Sequence, residues 1–464
     1  MSEPIVAVSD EAAIPIRLVT SAEAEGALAA MSPPHRAQAK LAKFAGKAGE
    51  VAVLTTGDGP AEVLAGLGDG TAVMALRALP AKLPAGLYAL SRARGAPGGG
   101  PPPADVALAF ALGHYRFDRY RKEAREAGAR LVAPDGVDLD ELHAIAHACN
   151  LARDMVNTPA NDMGPRQMET IAREVAEQFG ARISVISGDA LLAENYPAVH
   201  AVGRAAVSER APRMIEISWG EPDRPLVALV GKGVVFDTGG LDIKPSASMR
   251  QMKKDMGGAA HALALGRMVM AAKLPVRLAV LLPVVENAIA GDAMRPGDVL
   301  ASRKGLTIEV GNTDAEGRLI LADALARAAE LSPDLTLDLA TLTGAARAAL
   351  GPELPPFYTD DDALAAAIEA GAKAASDPVW RMPLWNGYEP AIESDVADLR
   401  NDPDGWAQAG SVTAALFLRR FAPKGAWAHF DIFAWNPRNR PGWPVGAEAQ
   451  AIRGLYRMLK TRYA

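Results

Sequence analysis

The sequence predicts an α/β protein of two domains, a smaller amino-terminal α/β domain and a larger carboxyl-terminal α/β domain. The chain has 464 residues, which is more than one hydrophobic core usually accommodates. Short apolar and β-branched runs alternate with helical patterns, and this alternation is typical of α/β domains with largely parallel sheets. In the larger domain we expect a mixed central sheet flanked by helices.

The amino-terminal domain is expected to span residues 1–138. The Gly/Pro cluster from Gly95 to Pro103 indicates a surface loop within it, because strand-like sequence resumes afterwards. Helical patterns such as Arg116–Gly128 lie between and after the candidate strands. These candidate strands are Ile14–Thr20, Val51–Thr56, Ala72–Ala78 and Val106–Leu112.

The turn sequence Ala133–Gly136 marks the domain boundary and leads into a linking helix over residues 139–156. That helix should end before Asn157-Thr158-Pro159, because the residue preceding proline is disfavoured in helical conformation. The second domain then covers residues 139–464. Its candidate strands are Ile183–Ile186, Leu226–Val230, Leu278–Leu282 and Leu335–Leu339.

The composition is that of an ordinary globular protein, with 49% hydrophobic and 22% charged residues. A net charge of -6 and a pI of about 5.8 disfavour a large electrostatic footprint on nucleic acid. The single cysteine, Cys149, excludes an intramolecular disulfide framework and suits a reducing compartment. The sequence has no secretory-signal pattern and no apolar run near the ~20 residues that cross a bilayer. We therefore expect a cytoplasmic protein.

Four segments of the second domain carry charged residues in loops that follow apolar strands. The strand Leu226–Val230 runs into Gly231–Gly240, in which Lys232 and Asp237 flank an apolar stretch. The other segments are Ile243–Pro245 with Lys244, Met252–Ala260 with Asp255, and Gly311–Arg318 with Asp314, Glu316 and Arg318.

Each segment alone also has a purely structural interpretation. Asp237–Gly240 fits a turn that closes a strand. Thr313 and Glu316 fit a capping box for the following helix, and Asp255 fits a cap for the helix after it. A lone lysine such as Lys244 is usually a solvated surface residue.

Taken together, the segments indicate a ligand site. In α/β sheets, ligands bind in the loops at the carboxyl ends of the strands. Three aspartates and one glutamate brought together there repel one another unless cations offset their charge. Metal ions are the simplest such cations, and two ions a few ångströms apart are a common hydrolytic arrangement.

Other hydrolase and nucleotide-binding motifs are absent from the sequence. None of the seven histidines is followed by glutamate, so the chain has no HExxH zinc motif. GxSxG and GxxxxGK[ST] do not occur either. Gly66–Gly70 is too loose a match to a dinucleotide-binding fingerprint and fits a turn at a strand end.

The charged segments resemble the active-site blocks of the leucyl (cytosol) aminopeptidase family, the M17 metallopeptidases. Asn312–Leu319, with the sequence NTDAEGRL, is similar to the signature of that family. The resemblance covers essentially the second domain and implies a two-metal aminopeptidase that releases N-terminal amino acids from peptides. The further blocks that match in order are Gly231–Gly240, Ile243–Ser246, Asp255–Ala260 and Asp338–Gly344.

The resemblance also implies roles for individual residues. Lys244 is expected to stabilise the developing oxyanion, and Arg318 to hold a bicarbonate that acts as general base. A hydroxide that bridges the two ions is expected to attack the peptide carbonyl. The implied ligands of the two divalent ions, Mn²⁺ or Zn²⁺, are Lys232, Asp237, Asp255, Asp314 and Glu316. The positions implied to line or hydrogen-bond the substrate are Met252, Thr341, Leu342, Gly344 and Phe433.

The metal and the side-chain preference stay open at this point. The lack of a histidine ligand favours Mn²⁺ or Mg²⁺ by ligand hardness, whereas the family commonly uses Zn²⁺ as well. Phe433 stands where the family often has a small residue. If that position lines the pocket for the first side chain of the substrate, Phe433 narrows it and favours smaller or unbranched residues.

Expected partners are peptides with a free amino terminus, and the resemblance implies a homohexamer. Two other functions stay open: a DNA-binding architectural protein of the same family, and a two-metal phosphoesterase. The acidic balance argues against the first, because Glu123 and Glu126 interrupt the most basic stretch, Arg116–Arg130. A lysine ligand at Lys232 argues against the second. We expect no membrane partner, and nucleic acid is disfavoured.

Overall fold

The computed structural model describes residues 3–7, 11–57, 59–91, 100–122, 128–403 and 408–464. The chain divides into two compact units, one formed by Met1–Asn150 with Asn436–Val445 and the other by Leu151–Trp435 with Gly446–Ala464. This division falls inside the helix that the sequence predicts as a link, and the domain boundary after residue 138 stays a prediction. Among the described helices, none is long and apolar enough to span a bilayer.

The first unit is built on a largely parallel sheet, as its alternating pattern predicts. Its strands are β1 (Ile5–Val6), β2 (Ile14–Val19), β3 (Val51–Thr56), β4 (Gly59–Gly66), β5 (Gly86–Leu90) and β6 (Ala129–Val132). The helices up to the link are α1 (Ala24–Ala29), α2 (Pro33–Leu41), α3 (Leu79–Lys82), α4 (Pro103–His114) and α5 (Leu139–Asn157). In the described part of this unit the strand order is β1-β6-β5-β2-β4-β3, and only β3 and β4 pair antiparallel.

Two candidate strands and one helical pattern of this unit are wrong. Ala72–Ala78 forms a 3₁₀ helix over Val73–Ala78, and Val106–Leu112 lies inside α4. Both runs are largely buried, and they are apolar except for Arg77. Periodicity therefore does not distinguish strand from helix, and their alanines favour helix. The pattern Arg116–Gly128 is not helical up to residue 122, and residues 123–127 lie outside the described part of the chain.

The second unit is built on a mixed sheet flanked by helices, as predicted. The remaining strands of the chain are β7 (Arg182–Ser187), β8 (Arg213–Trp219), β9 (Leu226–Gly231), β10 (Gly233–Asp237), β11 (Arg277–Asn287), β12 (Val299–Ala301), β13 (Thr307–Glu309), β14 (Leu335–Ala340), β15 (Pro356–Tyr358), β16 (Trp380–Arg381), β17 (Leu399–Arg400), β18 (Ala426–Asp431), β19 (Trp435–Asn436) and β20 (Gly446–Ala447). The remaining helices are α6 (Pro165–Gln178), α7 (Ala190–Ala193), α8 (Pro197–Gly203), α9 (Ser246–Met249), α10 (Gly257–Ala271), α11 (Glu316–Glu330), α12 (Gly344–Leu350), α13 (Asp362–Ala374), α14 (Gly410–Arg419) and α15 (Ile452–Tyr463). All four candidate strands of this domain are confirmed. The linking helix runs to Asn157, one residue beyond its predicted end.

The main sheet of the second unit has the order β16-β15-β18-β14-β9-β11-β8-β7 in the described residues, with β10 beside β11. Strands β18, β14, β9 and β11 pair parallel in succession, and β10 pairs parallel with β11. Every residue of β9 is buried, because α10 and α11 both pack against it. Since the carboxyl ends of parallel strands meet at one edge, the loops after β9, β10, β14 and β18 come together there.

Asp323 in α11 fixes the neighbouring helix α8 to this framework. Its Oδ2 accepts hydrogen bonds from the amides of Ala198 and Val199 at 2.8 and 3.1 Å, and its Oδ1 accepts one from the amide of Arg303 at 2.8 Å. Burial raises the pKa of this carboxyl to about 7. The buried acid therefore serves as the hydrogen-bond acceptor for three backbone donors of other segments.

We expect Asp323→Ala to lower the free energy of unfolding by about 3 kcal/mol, because three buried amides lose their acceptor. Asp361→Ala is the matched control, since Asp361 caps α13 by accepting a single bond from the Leu364 amide at 2.9 Å. Its expected loss is about 1 kcal/mol. Urea denaturation measures both. Equal losses in the two variants would show that Asp323 does not have this organising role.

Candidate active site

The charged residues predicted from sequence lie at the carboxyl edge of the main sheet. Lys232 stands between β9 and β10, and Asp237 is the last residue of β10. Asp255 lies in a 3₁₀ turn over Met252–Met256, and Glu316 is the first residue of α11. Residues from separate strands and helices thus meet at the carboxyl edge of the main sheet.

Two glycines, Gly258 and Gly317, leave room for the backbone and the side chain of Lys232. Its amide donates to the Leu339 carbonyl at 3.0 Å, and its carbonyl accepts from the Ala259 amide at 2.7 Å. A Cβ on Gly258 would lie 2.1 Å from the Leu339 carbonyl oxygen, and one on Gly317 would lie 2.4 Å from Lys232 Cε. The packing around Lys232 therefore requires glycine at both positions, in the segments Asp255–Ala260 and Asn312–Leu319.

Three buried carboxylates converge at this edge. Asp237, Asp255 and Glu316 each place an oxygen within 4.8 Å of the others. Lys232 Nζ lies 2.6 Å from Asp255 Oδ2 and 3.1 Å from Glu316 Oε1. The same ammonium donates to the Thr341 carbonyl at 3.0 Å. One lysine thus bridges two of the three acids.

Lys244 connects the cluster to the fourth predicted carboxylate. Its Nζ lies 2.8 Å from Asp237 Oδ2 and 2.5 Å from Asp314 Oδ1. The Asp314 side chain is 32% exposed, whereas that of Asp237 is 3% exposed. Asp314 therefore lies at the solvent side of the cluster, and Lys244 stands between it and the buried acids.

The cluster contains more carboxylates than its two lysines can neutralise. Burial, and then the charge of Asp237, raises the pKa of Glu316 to about 8 and that of Asp314 to about 6. Burial acts to lower the pKa of Lys232, but the charges of Asp255 and Glu316 outweigh it and raise that pKa above its ordinary value. Burial also opposes the ionisation of Asp255, but the Lys232 charge dominates and lowers the pKa of Asp255.

The cluster fits divalent cations. Oε2 of Glu316 is buried and has no hydrogen-bond partner among the described residues, and a buried acceptor of this kind is costly to leave unsatisfied. The donor set of carboxylate oxygens and one amine suits Mn²⁺, Mg²⁺ or Zn²⁺. The residues available as ligands are Lys232, Asp237, Asp255, Asp314 and Glu316.

Sequence reasoning missed Asn287 and gave Thr341 only a substrate role, although both residues hold carboxylates of the cluster in place. Asn287 Nδ2 donates to Asp237 Oδ1 at 2.8 Å and to the Thr313 carbonyl at 3.1 Å. Thr341 Oγ1 donates to Asp255 Oδ1 at 2.9 Å. Asn287 ends β11, so its position after an apolar strand was the available signal.

The helix-capping roles considered for Thr313 and Asp255 are both wrong. The residue preceding α11 is Ala315, which makes no side-chain cap, and Thr313 Oγ1 donates instead to the Gly239 carbonyl at 2.6 Å. Asp255 does not cap α10, which begins after Met256 without a side-chain cap. Both acidic segments are therefore organised around the cluster and not around helix ends.

Among the predicted substrate residues, Thr341 contacts Asp255 of the cluster directly. The amides of Leu342 and Thr343 donate to Asp431 Oδ1 at 2.9 and 3.2 Å, so Asp431, a residue without a predicted role, fixes this loop. Gly344 begins α12, Met252 begins the 3₁₀ turn, and Phe433 follows β18.

Arg318 is buried in the first turn of α11. One guanidinium nitrogen donates to the carbonyl of Asn401, while Nε has no partner in the described part of the chain. Burial lowers its pKa from the ordinary value. The structure shows no direct contact between this guanidinium and the carboxylate cluster in those residues.

Three buried carboxylates at the carboxyl edge of a mixed α/β sheet fit a metal-dependent hydrolase. Residues 150–456 match the Cytosol aminopeptidase family, catalytic domain, and residues 14–134 match the M17 aminopeptidase, N-terminal domain. The chain therefore belongs to the M17 family of cytosol aminopeptidases, which are hydrolases that act on peptides.

Relatives and solved structures agree with this membership. A "Probable cytosol aminopeptidase" of Geobacter sulfurreducens is 36% identical over 90% of this chain and 89% of the relative. The crystal structure of the cytosol aminopeptidase from Coxiella burnetii has 41% identity and a TM-score of 0.93, over 100% of both chains. The bottromycin maturation enzyme BotP in complex with Mn has 34% identity and a TM-score of 0.86, over 99% of this chain and 100% of that enzyme.

In chelator-treated protein, ionisation of Glu316 should destabilise the fold. Its folded pKa of about 8 exceeds the ordinary 4.5, so the folded state binds more protons between these values and stability falls as pH rises through that window. We expect Glu316→Gln to remove part of the loss between pH 6 and pH 8 in urea denaturation. Glu177→Gln, on the exposed side of α6, is the control. An unchanged pH profile in Glu316→Gln would contradict the prediction.

Proposed function

We propose that this M17 peptidase releases single residues from peptides with a free amino terminus, with two divalent ions held at the carboxylate cluster. The observation that carries the proposal is the convergence of three buried carboxylates on Lys232. The proposed ligands are Lys232, Asp237, Asp255, Asp314 and Glu316. Because a free amine is a good metal ligand and an acetylated amine a poor one, this arrangement favours exopeptidase action.

The ions, Mn²⁺ or Zn²⁺, supply Lewis-acid chemistry that polarises the scissile carbonyl and lowers the pKa of water. Lys232 acts as a ligand only through a neutral amine, so Nζ gives up a proton when the site is loaded. In the metal-free site, burial acts to lower the pKa of Lys244, but the charge of Asp237 outweighs it and raises that pKa above its ordinary value. Its ammonium is therefore placed to stabilise negative charge that develops on the substrate oxygen.

Arg318 is proposed to hold an anion, bicarbonate, that accepts a proton during the reaction. Support comes from its burial and from the unpartnered Nε, which is a donor that a bound anion can satisfy. The loop 341–344 is proposed to orient the substrate backbone. Asp431 supports this role by holding the amides of Leu342 and Thr343 in place.

Phe433 is proposed to narrow the pocket for the first side chain of the substrate. Its ring lies 4.9 Å from Lys254 Nζ, and that ammonium is 3.9 Å from Asp255 Oδ1 in the cluster. The guanidinium of Arg347 lies 5.1 Å from the same ring. The aromatic side chain thus lies against two cations near the cluster, where it is proposed to favour small or unbranched first residues. Met252 is proposed to line the same pocket and Gly344 to contact the substrate backbone.

Cytoplasmic location and a homohexamer are proposed from the family alone.

The first test is hydrolysis of leucine p-nitroanilide by chelator-stripped protein resupplied with Mn²⁺ or Zn²⁺. We expect metal-restored cleavage of this substrate and none of its N-acetylated form. Lys244→Met should lower kcat by roughly 100-fold or more, since it removes a charge aimed at the developing oxyanion. Lys424→Met, at an exposed position before the amino end of β18, is the matched control. Cleavage of the acetylated substrate would contradict the proposal.

Phe433→Ala should widen the pocket and raise the ratio of kcat/KM for leucine over alanine p-nitroanilide by roughly tenfold. The control is Trp380→Ala, because Trp380 is an aromatic residue that is 57% exposed. Steady-state kinetics with glycine, alanine, methionine and leucine substrates measures the change. A wild-type rate that is flat from glycine to leucine would contradict the narrowing role of Phe433.

A further inference from the structure

The loop 311–315, between β13 and α11, determines where two carboxylates of the cluster lie. Asp314 belongs to this loop, and Glu316 is the first residue of the helix that follows it. Asp314 reaches Lys244 at 2.5 Å, and Glu316 reaches Lys232 at 3.1 Å. Because both carboxylates leave from one short stretch of chain, its backbone shape decides whether they reach the cluster.

The side chain of Asn401 bonds to both ends of this loop. Its Oδ1 accepts hydrogen bonds from the amides of Gly311 and Asn312 at 2.7 and 3.3 Å. Its Nδ2 donates to the carbonyls of Asn312 and Ala315 at 2.8 and 3.2 Å. Asp314 therefore lies between two carbonyls that the same side chain holds.

The middle of the loop is held by other groups. Thr313 Oγ1 donates to the Gly239 carbonyl at 2.6 Å, and the Thr313 amide donates to Asp242 Oδ2 at 2.8 Å. These bonds locate Thr313, whereas the bonds of Asn401 locate the residues on either side of it. The two sets of bonds together fix the direction in which the loop enters α11.

Asn401 is itself fixed in position, so it can serve as an anchor. It is 0% exposed and follows β17, which pairs parallel with β13. Its amide donates to the Glu309 carbonyl at 3.0 Å, and its carbonyl accepts a hydrogen bond from the Arg318 guanidinium. Displacement of this buried residue would leave several donors and acceptors without partners, which is costly.

The bonds around Asn401 require a carboxamide side chain. Its oxygen faces two N–H groups and its nitrogen faces two carbonyl oxygens. A carboxamide supplies the acceptor and the two donors that this arrangement needs. A carboxylate of the same shape would instead place an oxygen against the carbonyls of Asn312 and Ala315, which would repel it.

We propose that Asn401 is a positioning residue of the metal site, which holds the loop 311–315 in the shape that brings Asp314 and Glu316 to the two ions. This inference rests on the proposed function, because it concerns the ions proposed for the cluster. Asn401 acts through the backbone of the loop. Residues that orient metal ligands typically contribute 10- to 100-fold to metal affinity. The role of Asn401 should therefore be visible in the affinity for metal and not only in the stability of the fold.

The test measures Mn²⁺ affinity in the full chain, for the wild type and for Asn401→Ala. Each protein is stripped with chelator and titrated with Mn²⁺, and electron paramagnetic resonance follows the free ion. We expect Asn401→Ala to bind at least one ion about 10- to 100-fold more weakly. All five proposed ligands are present in this variant, so the loss reports their displacement. Circular dichroism checks that the variant is folded at the temperature of the titration.

Asn436→Ala is the matched control, because Asn436 is also a buried asparagine that holds a loop. Its Nδ2 donates to the carbonyls of Arg438, Trp443 and Pro444 at 2.8, 2.7 and 2.7 Å. It belongs to the first unit, which contains none of the proposed ligands. This variant should unfold at a lower temperature and keep the wild-type Mn²⁺ affinity. An equal loss of affinity in both variants would trace the effect to general destabilisation and overturn the proposal.

Asn401→Asp keeps the proposal testable if the alanine variant does not fold. This variant keeps the shape of the side chain and the acceptor for the amides of Gly311 and Asn312. Its added negative charge alone would strengthen the binding of cations, whereas displacement of the loop would weaken it. We expect weaker Mn²⁺ binding than in the wild type. Mn²⁺ affinity equal to or above that of the wild type, in either variant of Asn401, overturns the proposal.

Failure of the proposed function would give a different result. A wild type that binds no Mn²⁺ contradicts the metal site itself and overturns both proposals. A wild type that binds Mn²⁺ but does not cleave leucine p-nitroanilide contradicts the peptidase activity alone, since the affinity measurement does not depend on catalysis.

Discussion

Mutual repulsion of three buried carboxylates is the constraint on which the catalytic edge depends. Asp237, Asp255 and Glu316 place oxygens within 4.8 Å of one another, where water screens their charges poorly. Without compensation the segments that carry them would be driven apart. Lys232 offsets Asp255 and Glu316, and Lys244 offsets Asp237, so the two ammoniums allow the loops to meet.

Other residues of the second unit hold the lysines and carboxylates of the cluster in position. Lys232 stays in register because its backbone bonds to β14 and to α10, and glycines at 258 and 317 leave room for its stem. Asn287 and Thr341 donate to Asp237 and Asp255, so these acids cannot rotate away from each other. The fully buried strand β9 supports this edge of the sheet. Burial of the apolar core offsets the unfavourable free energy of burying the charged cluster.

The sequence predicts this site well because chemistry there requires particular residue types in a particular order. Lys232, Asp237, Asp255 and Glu316 stand in short blocks after apolar runs, and parallel strands bring such positions to one edge. Supporting residues such as Asn287 carry no comparable signal, since an asparagine at the end of a strand usually closes a turn.

Elements of the first unit were harder to predict, for a physical reason. Val106–Leu112 is apolar at every position, so burial on all sides conceals whether the chain is helix or strand. Ile14–Thr20 and Val51–Thr56 contain β-branched residues and were correct.

Charge balance connects the cluster to the proposed chemistry. Four carboxylates and two ammoniums leave the cluster two negative charges when all are ionised. The two proposed divalent ions would add four positive charges, and loss of the Lys232 proton would remove one. The loaded site would then carry a single buried positive charge, which an anion such as hydroxide would neutralise. Attack by the proposed hydroxide would move its negative charge onto the carbonyl oxygen, where the Lys244 ammonium would stabilise it.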